Sequence, residues 1–155
     1  MPTIGLKQLS QKKYTLVPNL PQNLRQTIGE PEDAFDIIIY GASGNGKTNF
    51  TIAFIKALIL SLQCKCEYVS YEEGHGKTVQ DAMISRHNML EEVGNLLQIT
   101  DHLSFEQLVK KMDQRKSPKI WVIDSLQACG FTALQTKQLK ERFVLSKKRK
   151  IIVYI

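Results

Sequence analysis

An octapeptide with the sequence GASGNGKT occupies positions 41–48, between the apolar run 35–40 and the helix-like segment 49–63. Its glycine, lysine and threonine positions match the pattern G-x-x-x-x-G-K-T of a phosphate-binding loop. Such a loop needs a strand before it and a helix after it, and the flanking segments meet both requirements. The chain is therefore predicted to be an α/β protein with this loop after its first strand.

The composition of the loop suits a nucleoside triphosphate bound with Mg²⁺. Its glycines allow a tight turn that points backbone N–H groups inward, and the following helix adds partial positive charge. In a loop of this kind Lys47 contacts the β- and γ-phosphates, and the Thr48 hydroxyl binds Mg²⁺. The alternative is a glycine-rich turn that binds nothing. The predicted nucleotide-binding residues are Gly41, Ala42, Ser43, Gly44, Asn45, Gly46, Lys47, Thr48 and Asn49.

Apolar runs alternate with helical periods after the loop. Strands are predicted at 35–40, 66–71, 119–124 and 151–155, with an edge strand at 96–99, and helices at 49–63, 77–93, 104–117 and 133–147. Ser104 and Gln107 form a capping-box pattern, and Pro118 is predicted to end that helix. The first strand is apolar after Asp36, which is typical of a strand covered on both faces. The alternation predicts a mostly parallel sheet between helices.

The first 34 residues differ in composition from the remainder of the chain. They contain four of the five prolines and show no sustained hydrophobic period. Their apolar residues are nevertheless sufficient for packing against a core. We therefore expect an N-terminal extension, 1–34, that packs on a single domain, 35–155.

Three acidic residues are predicted to share one edge of the sheet with the loop. In a parallel α/β sheet, ligands bind beyond the carboxyl ends of the strands. Asp124 ends the strand 119–124, and its carboxylate can hold Mg²⁺ with Thr48, directly or through water. Glu72 and Glu73 follow the second strand, where one of them can orient or deprotonate a water molecule. The alternatives are an aspartate that caps the next turn and a surface acidic turn.

Three segments, GASGNGKT (41–48), YVSYEEG (68–74) and IWVIDSLQ (120–127), together resemble the RecA-like P-loop ATPases, especially the branch with RadA, KaiC and DnaB-type helicases. The resemblance covers 35–155 and implies a three-layer fold, ATP and Mg²⁺ as cofactors, and ATP hydrolysis assisted by Lys47. It implies that Glu72, ahead of Glu73, activates water, and that Asp124 holds the metal. The expected role is in DNA recombination, repair or replication, with single-stranded DNA as a possible partner, and the expected origin is a phage or mobile element.

The resemblance also implies parts that this sequence lacks. The RecA-like core continues after its fourth central strand with a polar sensor residue, another strand and DNA-binding loops, whereas this sequence ends at Ile155. We therefore expect a core without its C-terminal part. An arginine or lysine finger is expected from a neighbouring subunit, in a homo-oligomer or from a partner. The competing hypothesis is a regulatory or assembly module that binds nucleotide with little turnover.

The net charge of +6 is concentrated near the C-terminus, in the region 137–150. The run Lys147-Lys148-Arg149-Lys150 precedes the last strand, so it is predicted at the amino ends of the strands, away from ATP. Both a solvated face and a partner contact explain this run as well as nucleic acid does.

Three cysteines without zinc spacing favour reduced thiols and a cytoplasmic location, and no segment is apolar and long enough for a membrane.

Overall fold

A computed structural model describes residues 2–42 and 46–155 of the chain. Five strands form one sheet in the order β1-β5-β4-β2-β3, and every neighbouring pair is parallel. The predicted α/β sheet and the predicted edge strand are both confirmed. The strands are β1 Asp36–Ile38, β2 Cys66–Ser70, β3 Leu97–Thr100, β4 Ile120–Asp124 and β5 Ile151–Tyr154.

The described helices differ most from the prediction where helices are short or interrupted. They are α1 Leu6–Ser10, α2 Gln22–Ile28, α3 Lys47–Leu62, α4 Lys77–Gln80, α5 Met89–Glu92, α6 Phe105–Asp113, α7 Leu126–Cys129 and α8 Ala133–Leu139. The segments Asp81–Arg86 and Lys140–Val144 continue α4 and α8 as π-helices, and Gly94–Leu96 is a 3₁₀ turn. Helices α1, α2 and α7 are too short to produce a hydrophobic period, so the sequence did not predict them.

Helix α6 shows which helix boundary the sequence predicted correctly. Ser104 accepts a hydrogen bond from the Gln107 backbone, and the Gln107 side chain accepts one from the Ser104 backbone, which confirms the capping box. The predicted end at Pro118 is wrong, because the helix already ends at Asp113 and Gln114 is extended (φ −60°, ψ 143°). Proline restricts only the residue before it, so Pro118 has no influence that far upstream.

Helices cover both faces of the sheet, which gives the predicted three layers. Alternate residues of a strand face opposite sides. Tyr68 and Val122 therefore pack with α3 and with the helical segments between 77 and 93. Trp121 and Ile123 pack on the other face with α6 and with the segment 139–144. Among residues 2–42 and 46–155, no helix has the length and apolarity that crossing a membrane requires.

Strand β1 lies at an edge of the sheet and has one exposed face, so the expectation that both its faces are covered is wrong. It pairs with β5 and with no other described strand. Ile38 is 50% exposed, and Tyr40, just beyond the strand, is 84% exposed. The apolar run correctly predicted a strand. Its place in the sheet depends on which strands pair with it, and the run itself carries no information on that.

The segment 1–34 contributes three buried residues to the layer that contains α3. Val17, Leu20 and Leu24 each expose 6% or less of their surface and belong to the same core cluster as Tyr68. The Val17 backbone N–H donates to the Pro31 carbonyl (3.0 Å), which holds two extended parts of the segment together.

The basic run 147–150 is largely engaged in contacts within the molecule. Lys148 lies 2.6 Å from the carboxylate of Asp113, and Arg149 forms an ion pair with Asp33. Both contacts lie at the amino ends of the strands, as the sequence predicted. They neutralise charge that a nucleic-acid surface would need to keep available.

Lys150 is the one buried cation of this run, with 6% of its surface exposed. Its ammonium group donates to the Pro118 carbonyl (2.7 Å) and to the Ser117 hydroxyl (2.5 Å). Burial lowers the pKa of Lys150 to about 8, with further contributions from neighbouring positive charges. A buried lysine with neutral partners therefore joins the start of β5 to the turn before β4.

Replacement of Leu58 by Ala should lower the free energy of unfolding by about 2–5 kcal/mol, because it removes a fully buried side chain from the centre of α3. Leu60→Ala on the same helix is the control, because Leu60 is 40% exposed, and its cost should be below about 1 kcal/mol. Urea unfolding followed by the emission of the single tryptophan, Trp121, measures both. Equal losses would contradict the position of α3 in the core.

Replacement of Lys150 by Met should change how stability depends on pH. The folded-state pKa of about 8 is below the ordinary value of 10.5, so the unfolded chain binds more protons between these values. The wild-type free energy of unfolding should therefore rise relative to that of Lys150→Met as the pH increases from 7 to 10. Urea unfolding at several pH values measures the difference, with exposed Lys147→Met as the control for losing a lysine. A difference that does not vary with pH would contradict the burial of a charged Lys150.

Candidate functional site

Backbone hydrogen bonds bring the carboxyl ends of four strands to the same edge of the sheet. Each bond joins residues at or just beyond the ends of neighbouring strands. They run from Ile39 N to Tyr154 O (2.8 Å), from Ile155 N to Ile123 O (3.0 Å) and from Tyr71 N to Asp124 O (2.6 Å). The phosphate-loop motif, the acidic pair and Asp124 all follow these strands, so the fold brings the predicted site segments to one edge.

Lys47 opens α3 and folds back over the start of the loop motif. Its ammonium group donates to the carbonyl oxygens of Gly41 (2.7 Å) and Ala42 (3.0 Å). Gly46, the residue before the helix, has a left-handed backbone (φ 75°) that side chains other than glycine rarely adopt. The predicted contacts of Ser43, Gly44 and Asn45 lie outside the described residues.

Within residues 2–42 and 46–155, nothing compensates the positive N-terminal end of α3. The helix is 16 residues long, its first turn contains no acidic residue, and no side chain of the described residues caps it. Thr48, in that first turn, is exposed. Free N–H groups and the helix dipole favour an anion at this position, and the Lys47 ammonium adds a full charge.

Asp124 ends β4 on the face of the sheet that α3 covers. Its Oδ2 accepts a hydrogen bond from the Tyr68 hydroxyl on the neighbouring strand. Burial raises the pKa of Asp124, the Tyr68 hydrogen bond lowers it, and the charge of Glu72 raises it. Asp124 is thus a half-buried carboxylate with one oxygen held by a protein donor.

Glu72 and Glu73 follow β2 and are both exposed. No described residue pairs with either carboxylate or donates a hydrogen bond to it. The charge of Glu72 contributes, after burial and the Tyr68 hydrogen bond, to the pKa of Asp124. The pKa of Tyr68 is raised first by burial, then by its interactions with Asp124, and also by the charge of Glu73. The two glutamates therefore lie within electrostatic reach of the Asp124 pair, as their position after the strand predicted.

Asn49 makes a contact that the sequence did not indicate. Its side-chain oxygen lies 3.2 Å from Nε2 of His87, which follows the π-helical segment Asp81–Arg86. Burial lowers the pKa of His87, and the charges of Lys56 and Arg86 lower it further, which favours the neutral form of the ring. The first turn of α3 is thereby joined to the segment between β2 and β3.

Tyr68 and Ser70 are polar residues of β2 that the sequence analysis did not select. Ser70 is opposite Asp124 in the register of β2 and β4, and it is fully buried. Its hydroxyl has no hydrogen-bond partner among the described residues. The sequence pointed to them only through their polarity, because they occupy the alternate positions 68 and 70 of a strand that is covered on both faces. Without the pairing of β2 with β4, nothing connected them to Asp124.

The oxygen donors at this edge fit Mg²⁺. Magnesium prefers hard oxygen ligands and usually binds one or two protein groups together with phosphate oxygens and water. The Thr48 hydroxyl, the Asp124 carboxylate and the orphaned Ser70 hydroxyl are of this kind. Within 2–42 and 46–155, no group of three or more His, Cys, Asp or Glu residues could hold a metal by itself.

No protein-family model and no curated protein matches the sequence. Solved structures do match, 65 chains in all, and one is flagellar accessory protein FlaH from Methanocaldococcus jannaschii. The two are 18% identical with a TM-score of 0.63, over 92% of this chain and 70% of FlaH. The chain has a RecA-like α/β fold. At this identity the likeness concerns the RecA-like fold alone, and it does not extend to the RadA, KaiC or DnaB branch or to a phage or mobile-element origin.

Replacement of Gly46 by Ala should lower the free energy of unfolding by about 1–2 kcal/mol, because an L-residue is strained at φ 75°. No described atom lies within 4 Å of the added Cβ, so strain and not a clash causes the loss. Gly46→Asn should lose less, since asparagine tolerates this conformation. Gly5→Ala, at an ordinary φ of −78°, is the control. Urea unfolding measures all three, and wild-type stability of Gly46→Ala would contradict the left-handed entry to α3.

Proposed function

We propose that the chain binds ATP with Mg²⁺ at the carboxyl edge of the sheet and hydrolyses it to ADP and phosphate. One observation carries this proposal. Helix α3 begins at the phosphate-loop motif with a positive end that no described side chain caps, and Asp124 ends β4 on the face that α3 covers. An anion-binding helix N-terminus and a metal-binding carboxylate are the two elements that Mg·ATP requires.

The residues of the loop have distinct roles in this proposal. Lys47 exchanges its hydrogen bonds to the Gly41 and Ala42 carbonyls for bonds to phosphate oxygens, which are stronger because both partners are charged. The Thr48 hydroxyl and the Asp124 carboxylate hold Mg²⁺. When bound, Mg²⁺ would neutralise the negative charge that develops on the phosphates.

One glutamate of the acidic pair orients the attacking water and accepts its proton. We assign this role to Glu72, whose charge acts on Asp124, and we keep Glu73 as the alternative. Both side chains are exposed and unpaired within the described part of the chain, so either can turn toward a bound nucleotide. A general base must reach hydrogen-bond distance of the proton that it removes, and a ligand-free arrangement is commonly looser than that.

A role in DNA metabolism remains part of the proposal, but the basic run 147–150 does not support it. Lys148 and Arg149 are paired with Asp113 and Asp33 at the opposite end of the strands. Arg142 is paired with Asp113 as well. These arginines are therefore engaged away from the nucleotide, which favours a finger residue from a neighbouring copy or partner.

The second candidate is a nucleotide-binding module with little turnover. The observation that favours it is the lack of any described donor that fixes Glu72 or Glu73. Preorganised groups account for much of enzymatic catalysis, and an unsupported base is poorly placed to orient water. Such a module would still bind Mg·ATP through the loop and Asp124, so binding and hydrolysis must be measured separately.

Replacement of Lys47 by Ala should reduce Mg²⁺-dependent ATP hydrolysis on the order of a hundredfold, because one preorganised charge on the transferring phosphoryl group is lost. Lys147→Ala is the control, since this exposed lysine lies at the other end of the strands. Release of inorganic phosphate and binding of a fluorescent ATP analogue are measured on the same proteins. Wild-type activity in Lys47→Ala would contradict the site.

The same assay separates the two candidates. Tight binding without phosphate release, even at high protein concentration, supports the module. Hydrolysis that single-stranded DNA stimulates supports the DNA role. If DNA leaves hydrolysis unchanged, the role in DNA metabolism is rejected and the proposed ATPase activity stands.

A further inference from the structure

The hydroxyl of Tyr68 is the one described side-chain donor to Asp124. It lies on β2, two residue pairs before the Ser70–Asp124 pair in the register with β4, and therefore on the same face of the sheet. It donates to Oδ2, and no described residue donates a hydrogen bond to Oδ1. The carboxylate is therefore held by one oxygen, while the other keeps its acceptor capacity.

Tyr68 is rigidly placed by its surroundings. Its side chain is 1% exposed and packs in the core cluster that contains α3 and the helical segments after β2. A buried ring in a packed core has few alternative rotamers, and its hydroxyl fixes the orientation of the partner carboxylate.

The Ser70 hydroxyl shows that this small region is polar but incompletely satisfied. It is fully buried opposite Asp124, and it has no partner within the described residues. An unsatisfied buried hydroxyl is costly in an apolar core. A hydrated cation bound by the neighbouring carboxylate explains the unpaired Ser70 hydroxyl, because a metal-bound water can act as its hydrogen-bond partner.

We propose that Tyr68 is the positioning residue for Mg²⁺ at Asp124: its hydroxyl holds Oδ2, so that Oδ1 is directed to the metal. This inference rests on the proposed nucleotide site. Residues that orient a metal ligand are worth about 10–100-fold in metal affinity. Tyr68 touches neither nucleotide nor metal in this arrangement, and it acts through Asp124.

The test measures how Mg²⁺ strengthens nucleotide binding. Wild type, Tyr68→Phe and Tyr154→Phe are each titrated with a fluorescent ATP analogue in EDTA and then with increasing Mg²⁺. Tyr154→Phe is the matched control, because it removes the hydroxyl of another buried tyrosine, on strand β5 beside β4 and on the opposite face of the sheet. We expect unchanged metal-free binding in all three proteins. The half-saturating Mg²⁺ concentration should rise at least about tenfold in Tyr68→Phe alone.

A double variant tests whether Tyr68 acts through Asp124. If it does, Tyr68→Phe combined with Asp124→Asn should require the same Mg²⁺ concentration as Asp124→Asn alone. An additional loss in the double variant would overturn the inference. So would a Mg²⁺ requirement of Tyr68→Phe no higher than that of Tyr154→Phe.

A further measurement is made on the wild-type protein and uses variants only to assign its resonances. The five tyrosines are labelled with ¹³C at the carbon that bears the hydroxyl, and substitution of the other four assigns Tyr68. Its resonance should shift when Mg²⁺ is added to the nucleotide complex, while that of Tyr154 stays in place. No shift at Tyr68 overturns the inference and leaves the nucleotide site intact, whereas no nucleotide binding by wild type in either condition contradicts the proposed function itself.

Discussion

Parallel pairing of β2 with β4 is the interaction on which the candidate site depends. Five residue pairs hold these central strands in register, from Cys66–Ile120 to Ser70–Asp124. The register brings Tyr68 to Asp124 and puts the acidic pair beside the end of β4. A shift by one residue would turn every side chain of one strand to the opposite face. Tyr68 would then lie among the apolar residues that surround Trp121, and Asp124 would lose its donor.

The two ends of the sheet use charge differently. At the carboxyl edge, the glutamates have no ion-pair partner among the described residues, and the described hydrogen bonds of the Lys47 ammonium go to neutral carbonyls. At the amino end, two cations of the run 147–150, Lys148 and Arg149, are matched by Asp113 and Asp33. A charge that is paired within the protein holds parts of the fold together, whereas an unpaired charge remains available for a ligand. The net charge of +6 is thus a poor guide to what this protein binds.

The local patterns that were strong in the sequence correspond to local structure. Each predicted strand is present because apolar runs of this length leave few alternatives, and Ser104 with Gln107 marked the start of α6. The errors in the prediction concern the continuity of two helices and the coverage of the faces of β1. The interrupted helices at 77–93 and 133–147 contain π-helical segments, which hydrophobic spacing does not distinguish from α-helix. The apolar residues of β1 predicted a strand but not its edge position.

The sequence by itself determined the chemistry at the edge of the sheet: a phosphate-loop motif, an acidic pair and a strand-end aspartate, each recognisable because its residue types and spacing are local. Only the tertiary structure decided the partners of these residues, namely Tyr68 for Asp124, His87 for Asn49, and Asp113 and Asp33 for the basic run. The physical reason is that such contacts join residues that are far apart in the chain. Their existence depends on strand order and register, which emerge from packing the whole sheet.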